Sequence, residues 1–171
     1  MTTKKMLCLV LFLAFIVPLA FSIEPPEAQK EPTAGLFNVG DFYLSPEVIG
    51  VKAGSNRTIA LGANAEYFLS KEIAVGGDVS FYLKSPGGLS LFPDIEYHFN
   101  VHVQSLDVYI GAGPSLFFGF GSEGKTLFGG KAFGAARYFF NPSTGVFLKL
   151  GIATNNEGTT GTWAIGVSFK L

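Results

Sequence analysis

The sequence predicts an all-β chain closing into an eight-stranded antiparallel up-and-down transmembrane β-barrel, preceded by a cleaved signal peptide. Three observations carry that prediction. The first is the final stretch, where Trp163, Ile165, Val167, Phe169 and Leu171 share one face while Thr162, Ala164, Gly166, Ser168 and Lys170 share the other, because successive strand side chains point to opposite sides. The second is composition: in 171 residues there are 18 Phe and 22 Gly, and charged residues make up 15% against a usual ~25%. The mean hydropathy of +0.37 is high, yet only the N-terminal segment could form an apolar helix. The third is the even spacing of short alternating runs between turn signals.

Taken in order, Lys4 and Lys5 lead into the apolar run Met6–Val17, which is shorter than the ~20 helical residues needed to cross a bilayer. Pro18 breaks the run, and Ala20-Phe21-Ser22 places small residues at alternate positions. Residues 1–22 therefore read as a signal peptide. Cys8, the single cysteine, falls inside it, so the mature chain has no thiol for a disulfide or a cysteine metal site. Residues 23–35 are polar, with Pro25, Pro26 and Pro32 and mixed charges, and read as a disordered periplasmic tether. The barrel is assigned to residues 36–171.

Strand one alternates from Asp41 to about Val51, with Phe42, Leu44 and Val48 opposing Asp41, Tyr43, Ser45 and Glu47. Strand two sets Ile59, Leu61, Ala63, Ala65, Tyr67 and Leu69 against Ala60, Gly62, Asn64 and Glu66. After Ser70-Lys71-Glu72, strand three sets Ile73, Val75, Val79, Phe81 and Leu83 against Ala74, Gly76, Asp78, Ser80 and Tyr82. Strand four opposes Leu89, Leu91, Ile95, Tyr97 and Phe99 to Ser90, Phe92, Asp94, Glu96 and His98. Strand five opposes Leu106, Val108, Ile110, Ala112, Leu116 and Phe118 to Asp107, Tyr109, Gly111, Gly113 and Ser115. Strand six, about Thr126–Phe139, is the least regular, with Lys131, Phe133, Ala135 and Arg137 on one parity. Strand seven opposes Val146, Leu148, Leu150 and Ile152 to Phe147, Lys149, Gly151 and Ala153, and Asn155–Gly161 turns into strand eight. Pro46, Pro93 and Pro114 lack the donor that a central strand needs, so bulges or strand ends are expected beside them.

Alternation alone does not say which face is outside, since a secreted lipocalin-like carrier alternates with its apolar face inward. The polar face decides: it is mostly Gly, Ala, Ser and Tyr with roughly one charge per strand, which suits a crowded interior. That parity collects the acids Asp41, Glu47, Glu66, Asp78, Asp94, Glu96 and Asp107 on strands one to five. It collects the bases Lys131, Arg137, Lys149 and Lys170 on strands six to eight. Closing the sheet brings the two sets together. Depth along the strands implies two ionic layers, with Glu47, Asp78, Asp94, Lys131 and Lys149 near mid-height and the others toward the tether end. The surplus of acids leaves an inward carboxylate to be protonated or hydrated, since a lone buried charge costs several kcal/mol.

The alternation, with stretches such as Gly40-Asp41-Phe42-Tyr43-Leu44-Ser45-Pro46 and Tyr109-Ile110-Gly111-Ala112-Gly113-Pro114, resembles the small outer-membrane barrel domain of the OmpA/OmpX type over about Leu36–Leu171. The ending resembles the C-terminal assembly signal of that class, carried by Trp163, Ile165, Val167, Phe169 and Leu171, although the class most often ends in Phe or Trp. The resemblance implies location in the outer membrane of a Gram-negative-type bacterium, with contacts to outer-membrane lipids, periplasmic chaperones and the barrel-assembly machinery, as a monomer.

No catalytic residue, cofactor or metal site is assigned. His98 and His102 are the only histidines, and they read as the end of strand four and the solvated turn after it. Ser105, Asp94 and Glu96 lie nearby in sequence, but the His-X-Ser arrangement of barrel lipid A deacylases is missing. Alternate residues on one strand, such as Asp94, Glu96 and His98, do not by themselves enclose a metal, and pairing with Arg137 or Lys170 is the expected fate. Gly121-Ser122-Glu123-Gly124-Lys125 lacks the spacing of a phosphate loop and reads as a turn. A net charge of −1 argues against nucleic acid as a partner. The expected function is a non-enzymatic barrel with a plugged polar interior and a structural or surface-interaction role. The alternatives are a narrow conduit or small-solute-binding barrel, then a lipid-modifying enzyme or a secreted lipocalin-like carrier.

Overall fold

Eight strands hydrogen-bond in chain order, and the last pairs with the first. In the computed structural model, the described residues are 36–53, 56–84, 87–101, 103, 105–120 and 124–171. The signal peptide, the tether and His102 lie outside them. The strands are Phe42–Ala53 (β1), Asn56–Phe68 (β2), Ile73–Tyr82 (β3), Gly88–Phe99 (β4), Leu106–Gly119 (β5), Thr126–Asn141 (β6), Thr144–Asn155 (β7) and Gly158–Lys170 (β8). Every neighbouring pair is antiparallel, and β1·β8 completes a closed barrel.

Alternation becomes inside and outside. The parity holding Tyr43, Ser45 and Glu47 on β1 is buried in the lumen, and Asn64, Glu66, Asp78, Glu96, Asp107, Arg137, Lys149 and Ser168 are buried with it. The opposite parity is bare: Ile95 is 64% exposed, Phe128 65%, Ile152 62% and Leu150 60%. A lumen of eight strands is just wide enough for side chains to fill it. Three apolar clusters do so along its length: Phe37, Tyr43, Phe68, Ala74 and Phe139 at the tether end; Phe92, Tyr109, Phe133 and Ala135 in the middle; Ile49, Ala60 and Ala164 toward the other end.

Three expectations are corrected. The prolines cause neither bulges nor strand ends. Pro46 sits in register opposite Ala63, Pro93 opposite Gly77, and Pro114 opposite Gly130. The β4·β5 ladder keeps one register on both sides of a gap, from Leu91↔Leu116 to Ile95↔Ala112, which sets Pro93 directly opposite Pro114. One interruption thus absorbs two missing donors. The β1·β8 ladder is likewise interrupted at Ser45 and Pro46, with the same register on both sides. Second, β8 starts at Gly158 rather than Thr162. Asn155 pairs with Gly158 across a two-residue turn, where Glu157 N–H donates to Asn155 Oδ1 at 2.8 Å and Gly158 takes φ +138°, a region open to glycine. Third, β6 runs to Asn141 rather than Phe139, and the irregularity expected of it is a register shift against β7 between Phe139 and Asn141.

The gap at the two prolines draws β4 close to β5, and Gly113 makes room for it. A Cβ there would collide with the Pro93 carbonyl and stand 2.9 Å from the Asp94 Cα, both backbone atoms that have no rotamer to yield. On the outer face, by contrast, a Cβ on Gly134 meets nothing within 4 Å. Gly113→Val is expected to lower barrel stability by about 1–3 kcal/mol in urea unfolding from detergent, the range for overpacking, with Gly134→Val leaving it unchanged. Equal effects at the two sites would show that the β4·β5 contact is not tight.

Candidate functional site

The lumen carries the only concentration of chemistry among the described residues, and it is ordered into two groups stacked along the axis. The mid-height group centres on Asp78. Its Oδ1 accepts from Asn64 Nδ2 at 2.9 Å and Lys149 Nζ at 3.2 Å, and its Oδ2 accepts from Lys131 Nζ at 2.7 Å. Glu47 stands 4.0 Å from Lys149. Both ammonium groups lie over aromatic rings: Lys131 is 4.4 Å from the Phe92 centroid, and Lys149 is 5.1 Å from that of Phe133. Asp94, expected to pair in this layer, has no hydrogen-bond partner at either oxygen.

The second group, toward the tether end, is built around Arg137, which is fully buried. Its Nη2 donates to Glu66 Oε2 at 2.8 Å and to Asp107 Oδ2 at 3.0 Å, its Nε to Asp107 Oδ2 at 3.2 Å, and its Nη1 to Ser168 Oγ at 3.2 Å. Ser168 and Ser45 share a further hydrogen bond of 2.8 Å between β8 and β1. The rings of Phe37, Tyr43, Tyr109 and Phe139 surround the guanidinium with centroids 5.1–5.5 Å away. Arg137 is therefore both hydrogen-bonded and caged by π-faces, which is how a full charge is tolerated away from water. At the rim of the barrel, Lys170 meets Asp41 at 2.7 Å, and Asp41 also accepts from the Asn38 amide at 3.0 Å.

His98 keeps the inward parity of strand four that alternation assigns it, beside Asp94 and Glu96. Inward parity carries it into the lumen, where it is 2% exposed. Its Nδ1 is 2.9 Å from Asp107 Oδ1, its ring stacks on Tyr109 at 4.7 Å, and Phe37 covers it edge-on at 5.0 Å. Its Nε2 lies 3.6 Å from Glu96 Oε2, beyond hydrogen-bond reach. Glu96 and His98 do not meet Arg137 or Lys170 as expected. Glu66, from β2, supplies a third donor instead, so that Glu66, Glu96 and His98 can each bring one ligand atom within 4.8 Å of the others. Ser105, in the turn after β4, has φ +70° and is not bonded to His98.

Phe37 is the residue that sequence reading passed over. It precedes the first strand, stacks on Phe68 at 4.1 Å and closes the lumen over His98. Its parity matches Asp41 and Tyr43, and that was the available signal. The turns, in contrast, hold a solvated pair: Lys125 Nζ and Glu157 Oε1 at 2.9 Å, with the carboxylate raising the pKa of the ammonium.

No family model and no curated protein matches the sequence. Solved structures do. The chain is similar to the N-terminal β-barrel domain of Pseudomonas aeruginosa OprF, with a TM-score of 0.63 and 18% identity over 77% of this chain and 99% of that one. It is similar to Neisserial surface protein A, with a TM-score of 0.64 and 18% identity over 76% of this chain and 97% of that one. It is also similar to Ail, the attachment invasion locus protein of Yersinia pestis, with a TM-score of 0.53 and 14% identity over 77% of this chain and 99% of that one.

Removing Arg137 strands two carboxylates that have no water to turn to. Arg137→Ala is expected to destabilise the barrel by about 3–5 kcal/mol in urea unfolding, while Lys125→Ala, at the exposed pair, leaves the midpoint unmoved. A midpoint shift for Arg137→Ala no larger than that for Lys125→Ala would mean that the lumen is hydrated. With its sheet closed, its charges turned inward and its apolar side chains turned out, the chain has the fold of the eight-stranded outer-membrane β-barrels.

Proposed function

We propose that the chain is a non-enzymatic integral barrel of the outer membrane of a Gram-negative-type bacterium, with a plugged polar interior and a structural role in the envelope. The observation that carries this reading is the reversal of the usual soluble pattern, with large apolar side chains bare on the outer wall and charged ones buried. In water such a wall would be an aggregation site; in lipid it is the required surface. The exposed aromatics fall into two belts. Tyr67, Tyr97, Phe99, Tyr138 and Phe140 lie toward the tether end, and Phe81, Phe120, Phe128 and Trp163 toward the other, as interfacial rings do on either side of a hydrocarbon band.

The two layers of ion pairs and the three apolar clusters support a lumen filled by side chains rather than an aqueous conduit. The two-residue turn between β7 and β8 is small for an adhesive surface, which favours structure over attachment. On β8, Trp163 and Ile165 stand exposed on the outer face, and Leu171 is exposed just past the strand, where an assembly machinery or lipid can reach them.

Spin labels at Val79 and Leu148 in bilayers are expected to be accessible to dissolved oxygen and shielded from a water-soluble quencher. The opposite pattern would make the protein a water-soluble carrier. In planar bilayers, the purified chain is expected to give no steady single-channel conductance. Steady current that a bulky replacement at Gly151 abolishes would replace the plugged interior with a conduit.

A further inference from the structure

We infer that Glu66, Glu96 and His98 form a binding site for one divalent transition-metal ion of the zinc class, buried in the lumen at the tether end. Three observations meet there. All three side chains are buried, Glu96 fully, and Glu66 Oε1, both oxygens of Glu96 and His98 Nε2 have no hydrogen-bond partner. Unpaired buried carboxylate oxygens are costly, and several converging on one point call for a cation among them.

The spacing suits a metal better than a proton. Nε2 and Glu96 Oε2 are 3.6 Å apart, too far for a hydrogen bond but near the ~3.4 Å that separates two ligand atoms held ~2.1 Å from zinc at a tetrahedral angle. The full set lies within 4.8 Å, so coordination needs only a small inward movement of flexible glutamate side chains. The outer arrangement fits as well. His98 Nδ1 meets Asp107 at 2.9 Å, and a proton held there would leave Nε2 to coordinate once metal displaces any second proton, as carboxylates behind metal-bound histidines do. Glu66 can coordinate through Oε1 while Oε2 keeps its bond to Arg137.

Charge supports the same occupant. Around the site stand three carboxylates, Glu66, Glu96 and Asp107, against one guanidinium, Arg137. With His98 neutral, as a metal ligand must be, a divalent ion offsets the remaining two negative charges in one step. Imidazole among the donors selects against magnesium and calcium. Phe37, Phe68 and Tyr109, packed around His98, exclude water, so the ion enters as the barrel folds and leaves slowly.

The test is to refold the untagged full chain in detergent with a slight excess of zinc, remove free metal, and measure bound metal by elemental analysis. About one zinc per chain is expected, with magnesium and calcium giving none. Glu96→Gln and His98→Gln should each cut retention at least tenfold, Asp107→Asn should weaken affinity about 10–100-fold, and Glu157→Gln should match the parent. Zinc below a tenth of an ion per parent chain, or equal retention in Glu96→Gln, would overturn the inference. If those variants fail to give the compact form on heat-modifiable electrophoresis, cobalt-loaded parent protein decides. A paramagnetic shift of the His98 ring supports the site, and an unshifted ring rejects it. Oxygen accessibility of the outer wall is independent of this result, so a negative outcome leaves the membrane reading standing.

Discussion

A sheet that stands in hydrocarbon cannot leave a row of amides unpaired, because each orphaned group costs several kcal/mol with no water to relieve it. Pairing of β1 with β8 removes the last such row, and the rest of the molecule follows from it. Closing eight strands fixes a narrow lumen. A narrow lumen must be filled by side chains, and the residues available are those of the inward parity. Glycines at points of close approach and aromatics elsewhere share that space, which is why Gly113 faces the β4 backbone while Phe133 and Tyr109 occupy the open parts of the same layer.

Closure also determines the electrostatics. The acids of the first five strands and the bases of the last three lie far apart in sequence, and only a cylinder places Glu66 of β2 at 2.8 Å from Arg137 of β6. Such pairs gain little over an apolar filling of the same volume, but losing one partner is severe, because the other is left charged in a low dielectric. The network therefore acts on correctness more than on total stability. A register slip of one residue would turn Arg137 toward lipid and Tyr138 toward Glu66.

Most of this was legible because a period of two carries so much information. The inward list, read from parity alone, places Glu47, Asp78, Lys131 and Lys149 in one layer and Glu66, Asp107 and Arg137 in another, where the distances group them. What escaped was context. His98 reads as an inward residue at the end of its strand, but the ring that covers it, Phe37, lies on no strand. The effect of the prolines depended on Pro93 and Pro114 sharing one gap, a pairing visible only once register is known. Asn155–Gly161 looks like a loop in composition, yet a two-residue turn frees Thr159 and Thr160 to extend β8. The Glu66, Glu96 and His98 cluster needed a ligand from a strand two places away, which no spacing within β4 could reveal.

The segregation of sign along the chain has a consequence for the order of events. Ribosomes deliver the acids first, and every base that neutralises them arrives on β6, β7 or β8. A fragment ending after β5 would hold seven carboxylates and no inward Lys or Arg, so hydrocarbon would reject it. Only the complete circle supplies the four offsetting bases, so a truncated sheet would carry the whole inward negative charge with no cation beside it.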